Sequence, residues 1–288
     1  MYPTRFRYEA PRSLDEAIGT LHDGGEDAKV LAGGQSLVPL LKLRFASPTL
    51  LVDLNTVPGL DHHDVDESGN LHVGALCRHG DLERSALLKS TQPVMAAAAR
   101  LVADPLVRSR GTLVGSLCHA DPQGDWASVV LALGGSVVAA GPGGRRTIPV
   151  RDFVHGPFQN ALAHDEVAVE AVIPAPRGIP AGGYLKLERR VGDFATVGVA
   201  VAIERDGDIV TRAGIALTGV GAATIEAADA AQALVGGPLG EDVIDHAAGL
   251  AAQAARPKGD HRGSADFKRH MVRVFVRRIL AQTTERAA

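Results

Sequence analysis

Residues 172–183, VIPAPRGIPAGG, separate two stretches of different patterning, and this change constrains the fold more than any single motif. Proline removes a backbone donor and glycine loosens the chain, so their clustering reads as a linker. Ahead of it, short apolar runs alternate with helical periodicity. AKVLAG (28–33), TLLVDLNTV (49–57), NLHVGALC (70–77) and SVVAAG (136–141) read as strands. SLDEAIGTLHDG (13–24), RHGDLERSALLK (78–89), MAAAARLV (95–102) and WASVVLALGG (126–135) read as helices. The first of these opens on a capping box, Ser13 with Glu16, and closes at Gly24 and Gly25. Such alternation predicts α/β layering. Beyond the linker, YLKLERR (184–190) and residues 196–220 read as three strands, with an Asp-Gly hairpin signal in RDGD. Helices are expected over 224–235, 241–255 and 264–284. Strands first and helices after predict an α+β arrangement, and α+β is the fold class expected for the whole chain.

Composition narrows the function. The chain has 288 residues, 45% of them hydrophobic, which suffices for a substantial core. A formal net charge of −3 offers no basic surface for nucleic acid. No apolar stretch reaches the roughly 18–20 residues that span a bilayer. MYPTRFRYEAPRSLDEAI has no apolar core of a signal peptide, so the expected location is cytoplasmic. There are two cysteines, Cys77 and Cys118, too few for a disulfide framework or for an iron–sulfur cluster held by this chain alone. His62 and His63 are adjacent, without other ligands at metal spacing, and are expected at the surface. The final helix, ADFKRHMVRVFVRRILAQ, places Phe267, Met271, Val274 and Leu280 at near-helical spacing among arginines. It reads as an amphipathic helix packed on its own sheet, with a partner-docking face as the alternative.

Two glycine-bearing segments suggest a binding site. In AGGQS (32–36) a strand ends in Gly-Gly and turns towards a helix. Glycine permits positive φ and close backbone approach, and helix-opening N–H groups lack internal partners, so a phosphate suits such a place. A plain turn is the alternative. The spacing is not the G-x-G-x-x-G of a nicotinamide dinucleotide site. GTLVGS (111–116) again joins glycine to hydroxyl side chains, Thr112 and Ser116. Two such loops could hold the two phosphates of a dinucleotide. Asp125, in HADPQGD, is expected either to cap the helix that follows or to accept hydrogen bonds from ribose hydroxyls.

AGGQSLVPLLKLR, GTLVGSLCHADPQGDW and GGYLKLERRVGDFATVGVAVAI, in this order over nearly the whole chain, resemble the FAD-binding medium subunits of the molybdenum hydroxylases, the aerobic carbon monoxide dehydrogenase type most of all. The resemblance implies an FAD-binding domain at 1–175 made of two α/β subdomains meeting near 55–60, and a C-terminal sheet-plus-helices domain at 176–288. It implies that Ala32, Gly33, Gly34, Gln35 and Ser36, with Thr112, Leu113, Val114, Gly115 and Ser116, hold the pyrophosphate of FAD. It matches Asp125 to the family's acid, puts Lys186 near the flavin and packs Phe194 beside the isoalloxazine. It implies no catalytic acid–base residue in this chain. Substrate, carbon monoxide at first guess, is oxidised at a molybdenum cofactor in a large partner subunit. Electrons then pass through two [2Fe–2S] clusters in a small partner subunit, and FAD delivers them to an external acceptor. A dimer of heterotrimers is the implied assembly.

One position departs from the family pattern: Val114 stands where the second loop has glycine. If that residue needs positive φ, a β-branched side chain resists it and FAD binding suffers. An FAD-free bridging subunit is therefore one alternative, and a free-standing FAD oxidoreductase is another.

Overall fold

The computed structural model describes residues 2–285. Its first layer is a small parallel sheet of β1 (Arg7–Glu9), β2 (Ala28–Leu31) and β3 (Leu50–Asp53), in the order β1-β3-β2. Helix α1 (Leu14–Gly24) connects β1 to β2, and α2 (Leu37–Leu43) connects β2 to β3. Ser13 caps α1 by accepting from the Glu16 N–H at 3.1 Å, and Gly25 ends it at φ 63°. The central strand β3 is buried throughout and opens on the apolar run Leu50–Val52, as expected of a parallel strand at the centre of its sheet, before ending in the buried Asp53.

The second sheet has the order β4-β5-β10-β6-β7, with every pairing antiparallel. It is built from β4 (His63–Val65), β5 (Leu71–Gly74), β6 (Ser136–Gly141), β7 (Gly144–Pro149) and β10 (Val167–Ile173). The hairpin β8 (Val154–Gly156) and β9 (Gln159–Asn160) leads into β10, which enters between β5 and β6. Six helices lie between β5 and β6: α3 (His79–Arg84), α4 (Ala86–Thr91), α5 (Pro93–Ala99), α6 (Pro105–Arg108), α7 (Leu113–His119) and α8 (Asp125–Ala132). Helix α9 (Val150–Phe153) follows β7.

The third sheet is a meander of β11 (Ile179–Leu187), β12 (Val197–Asp206), β13 (Ile209–Thr218) and β14 (Ile225–Glu226). Helices α10 (Ala228–Gln232), α11 (Glu241–Ala254) and α12 (Ala265–Glu285) complete the chain. Strand period sorts β12 between two cores. Val197, Val199, Val201 and Ile203 face Ile244, Ala248, Val276 and Ile279 of the helices. Ala200 and Ala202, on the opposite face, join the core that contains Trp126, Val130 and Leu117. Among the described residues no helix is long and apolar enough to cross a membrane.

Several local expectations change. The linker shrinks to 174–178, because Val172 and Ile173 belong to β10 and Ile179–Gly183 to β11. Proline is tolerated in β11 because it is an edge strand. Gly182 brings the backbone so close to β12 that a Cβ there would lie 2.0 Å from the Val201 carbonyl oxygen. The helix expected over 78–89 breaks at Ser85, which turns extended and caps α4 by accepting from the Leu88 N–H. The helix expected over 224–235 is instead the edge strand β14 followed by the short α10. GTLVGS is largely helix, not loop. His62 and His63 are half-buried: His62 lies against the Gly59 carbonyl, and His63 Nε2 meets Ser85 Oγ at 3.1 Å. On α12 the buried stripe is Val272, Phe275, Val276, Ile279 and Leu280, while Phe267 is 43% exposed. Arg277 pairs with Asp245 of α11 at 2.7 Å, so part of the arginine face is engaged within the chain.

Candidate functional site

The two glycine segments meet. A Cβ on Gly33 would lie 2.1 Å from the Arg110 carbonyl oxygen and 2.8 Å from Gly111 Cα, so the backbones touch and only glycine fits. The first segment leaves the carboxyl end of β2, and Gly34 turns it at φ 73°. None of the N–H groups of Gly33, Gly34, Gln35 and Ser36 donates to a described residue. Successive free amides of this kind form an anion-binding concavity.

A line of side chains braces the pair. Asn55 Nδ2 donates to the Ala32 carbonyl at 2.9 Å, and Asn55 Oδ1 accepts from Arg78 Nη2. Arg78 Nη1 then donates to the Arg110 carbonyl at 2.8 Å. Burial, then the charge of Arg110, lowers the Arg78 guanidinium from its usual value. The guanidinium stays cationic all the same, since an arginine starts far above neutrality. A positive field therefore backs the free amides. Asp53, at the end of β3, anchors the line from behind by accepting from the Asn55 N–H at 2.9 Å and from the Tyr8 hydroxyl.

The second segment is the entry to α7. Thr112 is its N-cap, accepting from the Gly115 N–H at 3.1 Å. Leu113 and Val114 occupy the first turn with their side chains in the core, Val114 only 2% exposed. Val114 is absent from the residues of positive φ, because it is helical. The feared backbone conflict does not arise. Glycine at this position would hollow the core instead of opening the loop. Gly115 and Ser116 are partly exposed.

His79 secures the same segment. Its N–H donates to the Gly111 carbonyl at 2.9 Å, and a Cβ on Gly111 would sit 2.8 Å from its Nε2. Trp126 Nε1 donates to His79 Nδ1 at 3.0 Å, which requires an unprotonated Nδ1. Burial, helped by Arg108 and Arg78, pushes His79 down to about 4. A base depressed in the folded state contributes stability above its unfolded value and loses it as the pH falls towards the folded value. Between pH 6.5 and about 4 that loss is on the order of 3 kcal/mol. In urea titrations across this range, His79→Gln should flatten the acid loss; an unchanged slope would assign it to other groups.

Asp125 and Lys186 meet each other. Asp125 is the first helical residue of α8, not its cap, which is Gly124. One carboxylate oxygen accepts from the Tyr184 hydroxyl at 2.6 Å and the other from Lys186 Nζ at 3.0 Å. The carboxylate expected to meet ribose is buried and turned to β11, in an interior ion pair with Lys186. The Lys186 side chain is 2% exposed, donates also to the Leu101 carbonyl at 3.1 Å and lies 3.5 Å from Glu188. Burial pushes the Asp125 carboxyl up against the opposing pull of Lys186, and pushes the Tyr184 phenol up as well. The group therefore ties the third sheet to α8. Phe194, by contrast, is 51% exposed in the segment after β11, where Arg262 Nη1 donates to its carbonyl at 3.0 Å.

Asn55, Arg78 and His79 had no legible signal in the sequence, because each works through a contact far along the chain. Burial pushes both cysteine thiols up to about 12, so they are protonated near neutrality.

Comparison with known proteins shows the family. The family described as the FAD binding domain in molybdopterin dehydrogenase matches residues 4–176, and the CO dehydrogenase flavoprotein C-terminal domain matches 183–283. The carbon monoxide dehydrogenase medium chain of Hydrogenophaga pseudoflava is 38% identical, covering 100% of both chains. The 6-hydroxypseudooxynicotine dehydrogenase complex subunit alpha of Paenarthrobacter nicotinovorans is 37% identical over 100% of this chain and 97% of its own. The structure of carbon monoxide dehydrogenase from Hydrogenophaga pseudoflava lacking the Mo-pyranopterin moiety superposes with a TM-score of 0.95, at 40% identity and full coverage of both chains. By fold, by full-length similarity and by both domain matches, the chain belongs to the FAD-binding flavoprotein family of the molybdopterin dehydrogenases, as an oxidoreductase subunit of the carbon monoxide dehydrogenase medium-chain type.

Proposed function

We propose that Ala32–Ser36 and Thr112–Ser116 clamp the diphosphate of FAD, and that this chain relays electrons within a multi-subunit molybdenum hydroxylase. The observation that carries the reading is the contact of Gly33 with Arg110–Gly111 beside four free amides. Gly33, Gly34, Gln35 and Ser36 offer N–H groups to one side of the diphosphate. The partly exposed Ser116 hydroxyl serves the other side, Thr112 and Gly115 closing the turn that presents it, and Arg78 balances the charge. Leu113 and Val114 contribute backbone only, their side chains being in the core. Phe194, half-exposed, packs beside the isoalloxazine. Lys186 and Asp125 act one step back, holding β11 against α8 so that the segment carrying Phe194 is set against the clamp.

Bound FAD supplies reversible redox chemistry suited to a relay between [2Fe–2S] clusters of a small partner subunit and an external acceptor. Substrate is oxidised in a large molybdenum-binding partner, in a dimer of heterotrimers. The relatives named for carbon monoxide and for 6-hydroxypseudooxynicotine are 38% and 37% identical, so similarity alone does not choose the substrate. Carbon monoxide is the first to assay on the assembled enzyme.

The test is the visible spectrum of the chain purified with its native partners, then identification of flavin released on denaturation. One FAD per chain is expected. No flavin, even after incubation with excess FAD, would leave a bridging subunit. Substrate turnover by the isolated chain would replace the relay by a free-standing oxidoreductase.

A further inference from the structure

We propose that His22, His164 and Asp165 form a binding site for a divalent transition metal of the zinc type, remote from the flavin clamp. One ligand atom from each residue lies within 4.8 Å of the other two. His22 Nδ1 is 3.1 Å from Asp165 Oδ2, across a separation of 143 residues. Two ligands of a tetrahedral zinc ion, each about 2.0–2.1 Å from the metal, stand about 3.4 Å apart. The His22–Asp165 pair is therefore already at ligand spacing, and His164 needs a rotamer adjustment of an exposed side chain to complete the set. Two imidazoles and a carboxylate favour zinc and its neighbours over magnesium or calcium, which take oxygen ligands.

Both supports are rigid without using the ligand atoms. His22 sits in the last turn of α1, closed by Gly25. The turn bearing His164 and Asp165 is closed by the Glu166 N–H donating to the Ala163 carbonyl at 3.2 Å, and by the Ala163 N–H donating to Glu166 Oε2 at 2.8 Å. Arg146 grips Glu166 through two hydrogen bonds of 2.7 Å and also donates to the Ala161 carbonyl. A pre-set turn facing a pre-set helix end lowers the ordering cost of binding.

The topology separates this site from the clamp. Helix α1 feeds β2 through residues 25–27, so His22 lies before the amino end of β2, whereas Ala32 begins the clamp beyond its carboxyl end. Bound metal would clip the small parallel sheet's helix to the turn ahead of β10, stabilising the join between the first two sheets without touching flavin.

Titration calorimetry of the flavin-loaded full-length chain with zinc chloride, after chelator treatment and dialysis, tests this. One zinc per chain and a raised thermal midpoint are expected. The chain has eleven histidines, so stoichiometry alone does not locate the ion. Loss of even an outer partner of a ligand weakens metal binding by about tenfold or more. His22→Ala and His164→Ala should each weaken zinc at least that much and abolish the thermal shift, while metal-free stability and flavin absorbance stay at wild-type values. No zinc binding, or wild-type zinc affinity in either variant, overturns the site. Either result leaves the flavin clamp untouched, because flavin content is read separately.

Discussion

Lys186→Met is expected to destabilise the chain by about 3–5 kcal/mol, the usual cost of removing one partner from a buried ion pair. Methionine approximates the apolar stem of lysine without its ammonium, so the loss comes mainly from charge. It strands the Asp125 carboxylate, already buried and bonded to Tyr184, with Glu188 3.5 Å from the missing ammonium. The Leu101 carbonyl also loses its donor. The pH dependence has a definite sign. Asp125 already stands above its ordinary value through burial, and without Lys186 it rises further. A carboxyl raised in the folded state is favoured while protonated, so the variant's deficit is greatest near neutrality and shrinks as the pH falls through the folded value. Adding Asp125→Leu should recover much of the loss, since an apolar replacement of a buried pair is often neutral. Denaturant unfolding of the three proteins measures this; a cost below about 1 kcal/mol would mark the pair as solvated, like a surface ion pair.

Gly33→Ala is expected to weaken FAD by tenfold or more, that is by about 1.4 kcal/mol or beyond. One methyl group suffices because its carbon would fall 2.1 Å from the Arg110 carbonyl oxygen, where backbone, not a flexible side chain, must give way. The loops must part, and the Ala32–Asn55–Arg78–Arg110 line must stretch with them. Gly19→Ala is the control: it lies in α1 with no atom within 4 Å of the added carbon, and it should leave flavin unchanged while stabilising the helix by up to about 1 kcal/mol. Apoprotein titrated with FAD and followed by flavin fluorescence separates the two. Wild-type affinity in Gly33→Ala would remove the loop contact from the site.

Val114 shows how a sequence departure can lose its meaning in three dimensions. In a glycine-bearing loop a β-branched residue would resist positive φ, but Thr112 caps a helix there and Val114 turns its side chain into the core. Seven residues of α7 are too few to display an apolar period, so the helix was not legible. The linker was misjudged for a related reason. Its prolines and glycines lie partly on the edge strand β11, where a missing donor or side chain is tolerated.

Local chemistry in the sequence determined the α+β class, the capped helix α1, the Asp206–Gly207 hairpin with Gly207 at φ 56°, and the turn at Gly34. Each depends on neighbours in the chain: a side-chain cap, a strand period, a residue free to take positive φ. Only the tertiary structure decided what those elements face. It set Gly33 against Arg110, aligned Asn55 and Arg78 as a brace, and buried Asp125 with Lys186 from 61 residues away. It also brought His22 to Asp165 and placed β10 between strands far earlier in the chain. These pairings follow from the burial of whole faces against one another, a sum over many side chains that no short stretch contains.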